Sequence, residues 1–425
     1  MHILHVVQRY WPGRGGAEIH LGEISARLAS EGHQVTVVTS DALDFELLWE
    51  PRRHRIPVRE ETHAGVRILR FPVRHVLNSS LAYPALRRLL WLFSALRPVP
   101  VSLMSRLSRL TPWMPDLWRW VETTSESFDL VAGMMVVFEP TVEAGLRLAR
   151  KRGAPFVIYP LTHLGAGPQP AQDPPSRFYT MRHQVELVRR SDAVAAQTPT
   201  EKTFYQARGV PADRIAVIGP GVNPEQVLGG DAERFRRKHR IQAPLVAFLS
   251  AMSYDKGTQT TVEAVQRLWR AGRQVELVLA GTILTPFRQY LDRLPPSDRQ
   301  RLRVLGPIDE DEKRDLLAAC DMLVMPSRVD SFGIAFLDAW LCGKPVIGAR
   351  TWGVSDVIVE RQNGLLVPFG DEAALAEAMA YLMDHPDEAA AMGRQGEALV
   401  YREHTWDKKI ALVRELYRSV LKGRP

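Results

Sequence analysis

The stretch that decides the fold runs from Asp321 to Ala349 and reads DMLVMPSRVDSFGIAFLDAWLCGKPVIGA. DMLVMPS is an apolar run of strand length, RVDSFG a loop, IAFLDAWLC a helix that Gly343 ends, and PVIGA a further strand. Strand, helix and strand in that order make a βαβ unit. Strands that are apolar throughout, without polar alternation, belong in a parallel sheet covered on both faces.

The same order recurs along the chain. ILHVV is followed by the loop WPGRGGAE, the helical IHLGEISARLASEG and the strand HQVTVVTS; later PLVAFLSA, MSYDKG, TQTTVEAVQRLWRAG and QVELVLAG repeat it. A chain of 425 residues exceeds one ordinary core, so two domains are expected. Both are doubly wound α/β folds. The break falls near RIAVIGPGVNPEQVLGG, where Gly219, Pro220, Gly221 and Pro224 cluster. Ligands of such sheets gather at the carboxyl ends of the strands, so a cleft between two facing domains is the default site.

Composition narrows the class. Hydrophobic residues at 45% and charged residues at 24% fit a globular enzyme and exclude a disordered or fibrous chain. The two cysteines, Cys320 and Cys342, form no C-x-x-C pair, which suits a reducing cytosol and argues against a cysteine zinc site. The opening MHILHVVQRYWPGRGG lacks the apolar core of a signal peptide, and no run approaches the ~20 residues that span a bilayer. A cytoplasmic protein is expected. The net charge of +7 is a mild bias toward anionic partners.

Within the opening stretch, Ser331, Phe332, Gly333 and Ile334 present backbone N–H groups at a helix start, which is an anion site. Asp330 precedes that turn and Asp338 lies two turns into the helix. Paired acceptor oxygens suit sugar hydroxyls at Asp330 and the vicinal diol of a ribose at Asp338. The plainer alternative makes Asp330 an N-cap and Asp338 a solvated helix residue. Lys256, beside Gly257 after a strand, suits a diphosphate as a point charge. In PGRGGAE, Gly15 and Gly16 allow close backbone approach, but Glu18 occupies the place of a third glycine, so a nicotinamide fingerprint is absent. Asp309-Glu310-Asp311 stands immediately before EKRDLLAAC and reads as helix capping rather than a metal-diphosphate motif, so no metal is expected.

Residues 62–115 carry eight arginines and no acidic residue. Leu86, Leu89, Leu90 and Phe93 follow helical spacing beside Arg87 and Arg88. This reads either as a basic amphipathic surface for an anionic membrane or lipid-linked acceptor, or as an ordinary helix with solvated arginines. No recognition motif supports nucleic-acid binding.

The run DSFGIAFLDAWLCGKPVI resembles the E-x7-E signature of the family 4 retaining glycosyltransferases, which have the GT-B fold. GGAE, GPGVN, YDKG, LVLAG, GVSDVI and NGLLVPFGD follow the same family order. The resemblance implies two Rossmann-like domains facing a central cleft. Residues 1–215 would form the acceptor side and 216–405 the nucleotide-sugar side, with a last helix at 406–425 packing back on the first. It implies sugar transfer from a UDP- or GDP-linked donor to a glycan or lipid-linked acceptor, with retained configuration and no cofactor. Asp330 then takes the first acidic position, on the donor sugar, and Asp338 the second, on the ribose. Lys256 neutralises the diphosphate, and the amides of Ser331–Ile334 cradle the leaving phosphate. His163, in YPLTHLG, stands near the reacting sugar, and Gly15 and Gly16 lie in the loop that closes over phosphates and acceptor. Two departures stand out. Both acids are Asp where the family has Glu, and Ala251 stands where the family tends to have a second cation, with Arg14 and Arg328 as candidate substitutes. A non-catalytic relative that binds a nucleotide sugar or a partner as a scaffold is the alternative.

Overall fold

The computed structural model describes residues 1–13, 15–75, 79–96 and 98–423. They group into two compact units. One comprises Met1–Thr162, Pro174–Gly219 and Ile410–Pro425; the other comprises His163–Asp173 and Pro220–Lys409. The division at Gly219/Pro220 falls within the Gly/Pro cluster, and His163 groups with the second unit.

The first unit holds β1 (His2–Val6), β2 (Gln34–Ser40), β3 (Glu60–His63), β4 (Val66–Phe71), β5 (Leu130–Met134), β6 (Phe156–Tyr159), β7 (Ala193–Ala196) and β8 (Ile215–Val217). They form one sheet in the order β3-β4-β2-β1-β5-β6-β7-β8. β5, β6 and β7 are buried along their whole length, which is why they read as apolar runs without alternation. One strand departs from the parallel set: β3 pairs antiparallel with β4. The turn between them holds Ala64 at φ 50° and Gly65 at φ 76°. Two left-handed residues in a two-residue loop match the twist of an antiparallel hairpin.

The basic segment proves less basic than its composition. Arg87, on the helix Ser79–Ala95, is buried, with its guanidinium 2.5 Å from Glu139 Oε1. His183 Nε2 lies 2.8 Å from the same oxygen, and Gln184 Nε2 donates to Glu139 Oε2 at 3.2 Å. Arg67 pairs with Glu60 and Glu126, Arg70 with Glu61, Arg74 with Asp116 and Arg109 with Glu143. The acids that neutralise these five arginines all lie outside residues 62–115. The reading of Arg87 as a solvated surface cation is therefore corrected. Its side chain anchors the helix through a buried ion pair.

The second unit holds β9 (Leu245–Leu249), β10 (Glu276–Ala280), β11 (Leu302–Gly306), β12 (Met322–Met325), β13 (Val346–Ala349) and β14 (Gly364–Val367), all parallel, in the order β11-β10-β9-β12-β13-β14. The strand order reverses between β9 and β12, and it is there that open α/β sheets receive ligands at their carboxyl ends. The helix Ile334–Leu341 is buried from Phe336 through Leu341. It is nearly apolar all round because it is packed all round. Trp340 is fully buried and donates its indole N–H to Asn363 O at 2.7 Å.

The last helix, Trp406–Lys422, starts in the second unit and groups with the first from Ile410 onward. There the Tyr417 hydroxyl lies 3.0 Å from His5 Nε2 and 3.2 Å from the Tyr159 hydroxyl.

Candidate functional site

Two loops leave the carboxyl ends of the neighbouring strands β9 and β12 and are fastened to each other. Gly257, at φ 79°, caps the helix Thr258–Arg270, and a Cβ on it would lie 2.4 Å from Pro326 O, so only glycine lets the loops meet. The Arg328 amide donates to Asp255 O at 3.0 Å, and Arg328 Nε to Asp255 Oδ1 at 2.8 Å. This brace sets Lys256 Nζ 2.7 Å from Asp330 Oδ1 and 3.2 Å from Val329 O. The other carboxylate oxygen, Asp330 Oδ2, is buried with no hydrogen-bond partner among the described residues. A buried acceptor left open in this way has unused capacity for a hydroxyl.

Charge in the cluster follows from burial and neighbours. Burial raises the Asp330 carboxyl, but Lys256, with smaller help from Ser327 and His163, outweighs it, so its pKa lies below the usual value. The half-buried His163 faces the same two groups. Burial first, and then Lys256, push its pKa down to about 3, so the imidazole is neutral at physiological pH. The structure thus brings Lys256, Asp330 and His163 together as cation, anion and neutral donor-acceptor.

Directly after Asp330 the chain turns into the helix Ile334–Leu341. Its N-cap is Gly333 at φ 94°, not Asp330, and a Cβ on Gly333 would strike the Phe336 ring at 2.5 Å. Phe332 is buried, its ring 5.2 Å from that of His404. Among the described residues, the amides of Ser331, Phe332, Gly333 and Ile334 donate to no acceptor. They form a run of open N–H groups at a helix start, next to Lys256 and Asp330.

Asp338 meets different surroundings. It is 5% exposed, with Lys313 Nζ 2.8 Å from Oδ2. Burial raises its carboxyl above the ordinary value despite Lys313. Burial also lowers the Lys313 ammonium, but Asp338 outweighs it and the net shift is upward. Asp338 is therefore not a solvated helix residue. Lys313 has no signal in the sequence. It sits one turn into the helix Glu310–Ala319, where its neighbours read as capping, and Asp309 does cap that helix by accepting from the Glu312 amide at 2.8 Å.

Of the candidate substitute cations near Ala251, Arg328 is committed to Asp255 at 2.6 Å and lies over the Phe369 ring at 4.8 Å. Arg14 lies outside the described residues. Gly15 and Gly16 stand in the first unit, where Gly16 begins the helix Gly16–Ser30. A Cβ on Gly15 would fall 2.2 Å from Glu18 Oε2, and Glu18 in turn pairs with Arg9 at 2.7 Å. The segment carrying His163 has an anchor that sequence reading missed. Trp352 donates its amide to Gly165 O and its indole N–H to Gly167 O, both at 2.9 Å.

Residues 15–221 match the model described as glycosyl transferase 4-like domain, and residues 231–399 the model described as glycosyl transferases group 1. The chain belongs to the family 4 glycosyltransferases. A D-inositol 3-phosphate glycosyltransferase of Xylanimonas cellulosilytica is 30% identical over 251 residues, 56% of this chain and 60% of that protein. A GDP-mannose-dependent alpha-(1-6)-phosphatidylinositol monomannoside mannosyltransferase of Mycobacterium tuberculosis is 28% identical over 232 residues, 52% of this chain and 60% of that protein. The matched region thus spans about 60% of these relatives' length. Among solved structures, Anabaena HepE in complex with UDP-glucose aligns with a TM-score of 0.71 at 19% identity, over 99% of this chain and 100% of that one. Sucrose-phosphate synthase from Thermosynechococcus elongatus aligns at 0.72 and 20%, over 100% and 99%. This family 4 chain therefore has the GT-B fold.

Proposed function

We propose that this chain transfers a sugar from a UDP- or GDP-linked donor to a hydroxyl of a glycan or lipid-linked acceptor, with retained configuration and without a metal. The observation that carries this reading is the cluster at the β9/β12 reversal: Lys256 on Asp330, His163 beside both, and four open amides next in the chain. In the reaction, Lys256 turns from Asp330 to the diphosphate and the amides of Ser331–Ile334 take the leaving phosphate oxygens. Asp330 accepts from sugar hydroxyls, and Asp338 accepts from the ribose. Neutral His163 shares a hydrogen bond with the donor sugar. The acceptor oxygen attacks the anomeric carbon on the face the phosphate leaves, the C–O(phosphate) bond breaks, and the acceptor proton passes to the departing phosphate. The protein supplies positioning and charge stabilisation and no nucleophile. An assay of nucleoside diphosphate release from UDP- and GDP-sugars tests the proposal. Binding without release for every donor and acceptor tried supports the scaffold reading instead, which Ala251 motivates; no binding at all defeats both.

Peripheral membrane contact at the cytoplasmic face belongs to the same proposal. No helix among the described residues is long and apolar enough to cross a bilayer. Exposed Leu81, Leu89, Leu92 and Leu96, and further on Leu103 and Leu110, stand with exposed Arg88 and Arg106 around the helices Ser79–Ala95 and Val101–Ser108. A leucine face edged by arginines suits an anionic bilayer surface. Co-sedimentation with phosphatidylglycerol vesicles but not phosphatidylcholine vesicles is expected, and loss of sedimentation in Leu81→Ser/Leu92→Ser checks the surface.

A further inference from the structure

Both acids of the signature are one methylene shorter than glutamate, and each meets a lysine. For Asp330 the lysine is Lys256, already placed on the diphosphate. For Asp338 it is Lys313, which no motif singles out. The contact is specific. Lys313 comes from the helix Glu310–Ala319, reaches Asp338 Oδ2 at 2.8 Å and lies 3.8 Å from Glu310. Among the described residues Asp338 Oδ1 has no ion-pair or hydrogen-bond partner. The Lys313 side chain is 25% exposed and that of Asp338 7%.

We propose that Lys313 is a positioning residue for donor binding: it fixes the short Asp338 carboxylate through Oδ2 and leaves Oδ1 to accept from the ribose hydroxyls. The inference rests on the reading that Asp338 takes the ribose. A buried carboxylate without a cation becomes protonated rather than staying charged. A protonated Asp338 loses one charge-assisted acceptor for the diol. The titratable groups facing Asp338 are Lys313 and Glu310 across the contact and Cys342 just beyond its own helix. Lys344 and Glu397 in turn face Cys342. Of these, Lys313 is the cation within ion-pair distance of the carboxylate.

The test is calorimetric titration of UDP and of GDP into the full chain between pH 6 and 8. For the nucleotide that binds, wild-type affinity is expected to be flat over this range. Lys313→Met is expected to bind about 10-fold more weakly at pH 6 than at pH 8, because the carboxylate it leaves unpaired gains a proton as the pH falls. Lys313→Arg restores the flat profile, and Lys313→Gln, of similar shape without the charge, gives the same reading should the methionine variant not fold. The turnover number at saturating donor stays near wild type, since the ribose is remote from the reacting bond. Asp338→Ala separates the two claims. If it binds nucleotide as wild type does, the ribose reading fails and this inference fails with it. If it binds about 10-fold more weakly or worse while Lys313→Met keeps wild-type affinity at every pH, the ribose reading stands and the role of Lys313 is overturned.

Discussion

Lys256→Met tests the cluster through stability and binding together. In the wild type Lys256 outweighs burial and holds the Asp330 carboxyl below its ordinary 3.8. A depressed folded-state value contributes stability that is present above the unfolded value and lost as pH falls through the folded one. Removing Lys256 leaves burial, the largest influence on Asp330, opposed only by the weaker effects of Ser327 and His163, so the carboxyl is expected to rise above its unfolded value and the sign to reverse. The variant's deficit then grows as pH rises out of the carboxylate range. Breaking one side of a buried pair costs about 3–5 kcal/mol. Here the two side chains are 22% and 18% exposed, which discounts that to about 1–3 kcal/mol by solvent screening. For a unit of this size that is roughly 2–12 °C in melting temperature. Thermal melts without ligand at pH 5 and pH 7.5 should show a larger deficit at pH 7.5. Adding Asp330→Asn should recover most of the stability and none of the nucleotide binding. Equal melting of Lys256→Met and wild type at both pH values, or wild-type nucleotide affinity in the double variant, would refute the reasoning.

Three further outcomes follow from individual contacts. Arg87→Met leaves Glu139 buried against His183 and Gln184, and should cost about 3 kcal/mol in urea unfolding, with Glu139→Gln in the same background recovering part of it. Gly333→Ala forces a left-handed φ and a 2.5 Å approach to Phe336, so it should weaken nucleotide binding in calorimetry and cost about 1–2 kcal/mol of stability. Trp352→Phe removes the indole bond to Gly167 O from the segment that carries His163; turnover should fall severalfold while nucleotide affinity holds, as measured by steady-state kinetics beside titration.

What the sequence made legible was local. The apolar runs of β9 and β12, the glycines at 257 and 333, and the acid and lysine beside them all lie within a few residues of the strand ends that place them. Two glycines at positive φ and loops at strand termini leave their mark in a short window, so Lys256, Asp330 and the open amides could be read before any coordinates. Charge compensation is tertiary and left no such mark. Glu126, Glu139 and Glu143, which neutralise arginines of residues 62–115, come from the far side of that window. Lys313 reaches Asp338 from a different helix, and the composition of EKRDLL hides it among capping charges. The direction of β3 was equally hidden, because Ala64 rather than Asn or Gly takes the first left-handed position of its turn. The anchoring of His163 by Trp352 joins residues far apart in the chain and follows from no spacing rule.

The central claim is that the donor's diphosphate is held where β9 and β12 end. A crystal structure of the chain with bound UDP or GDP tests it most directly. The account predicts phosphate oxygens within hydrogen-bond distance of amides in Ser331–Ile334, Lys256 Nζ moved from Asp330 to the diphosphate, and ribose oxygens on Asp338. A nucleotide bound elsewhere, with Lys256 still on Asp330 and those amides still open, would contradict it.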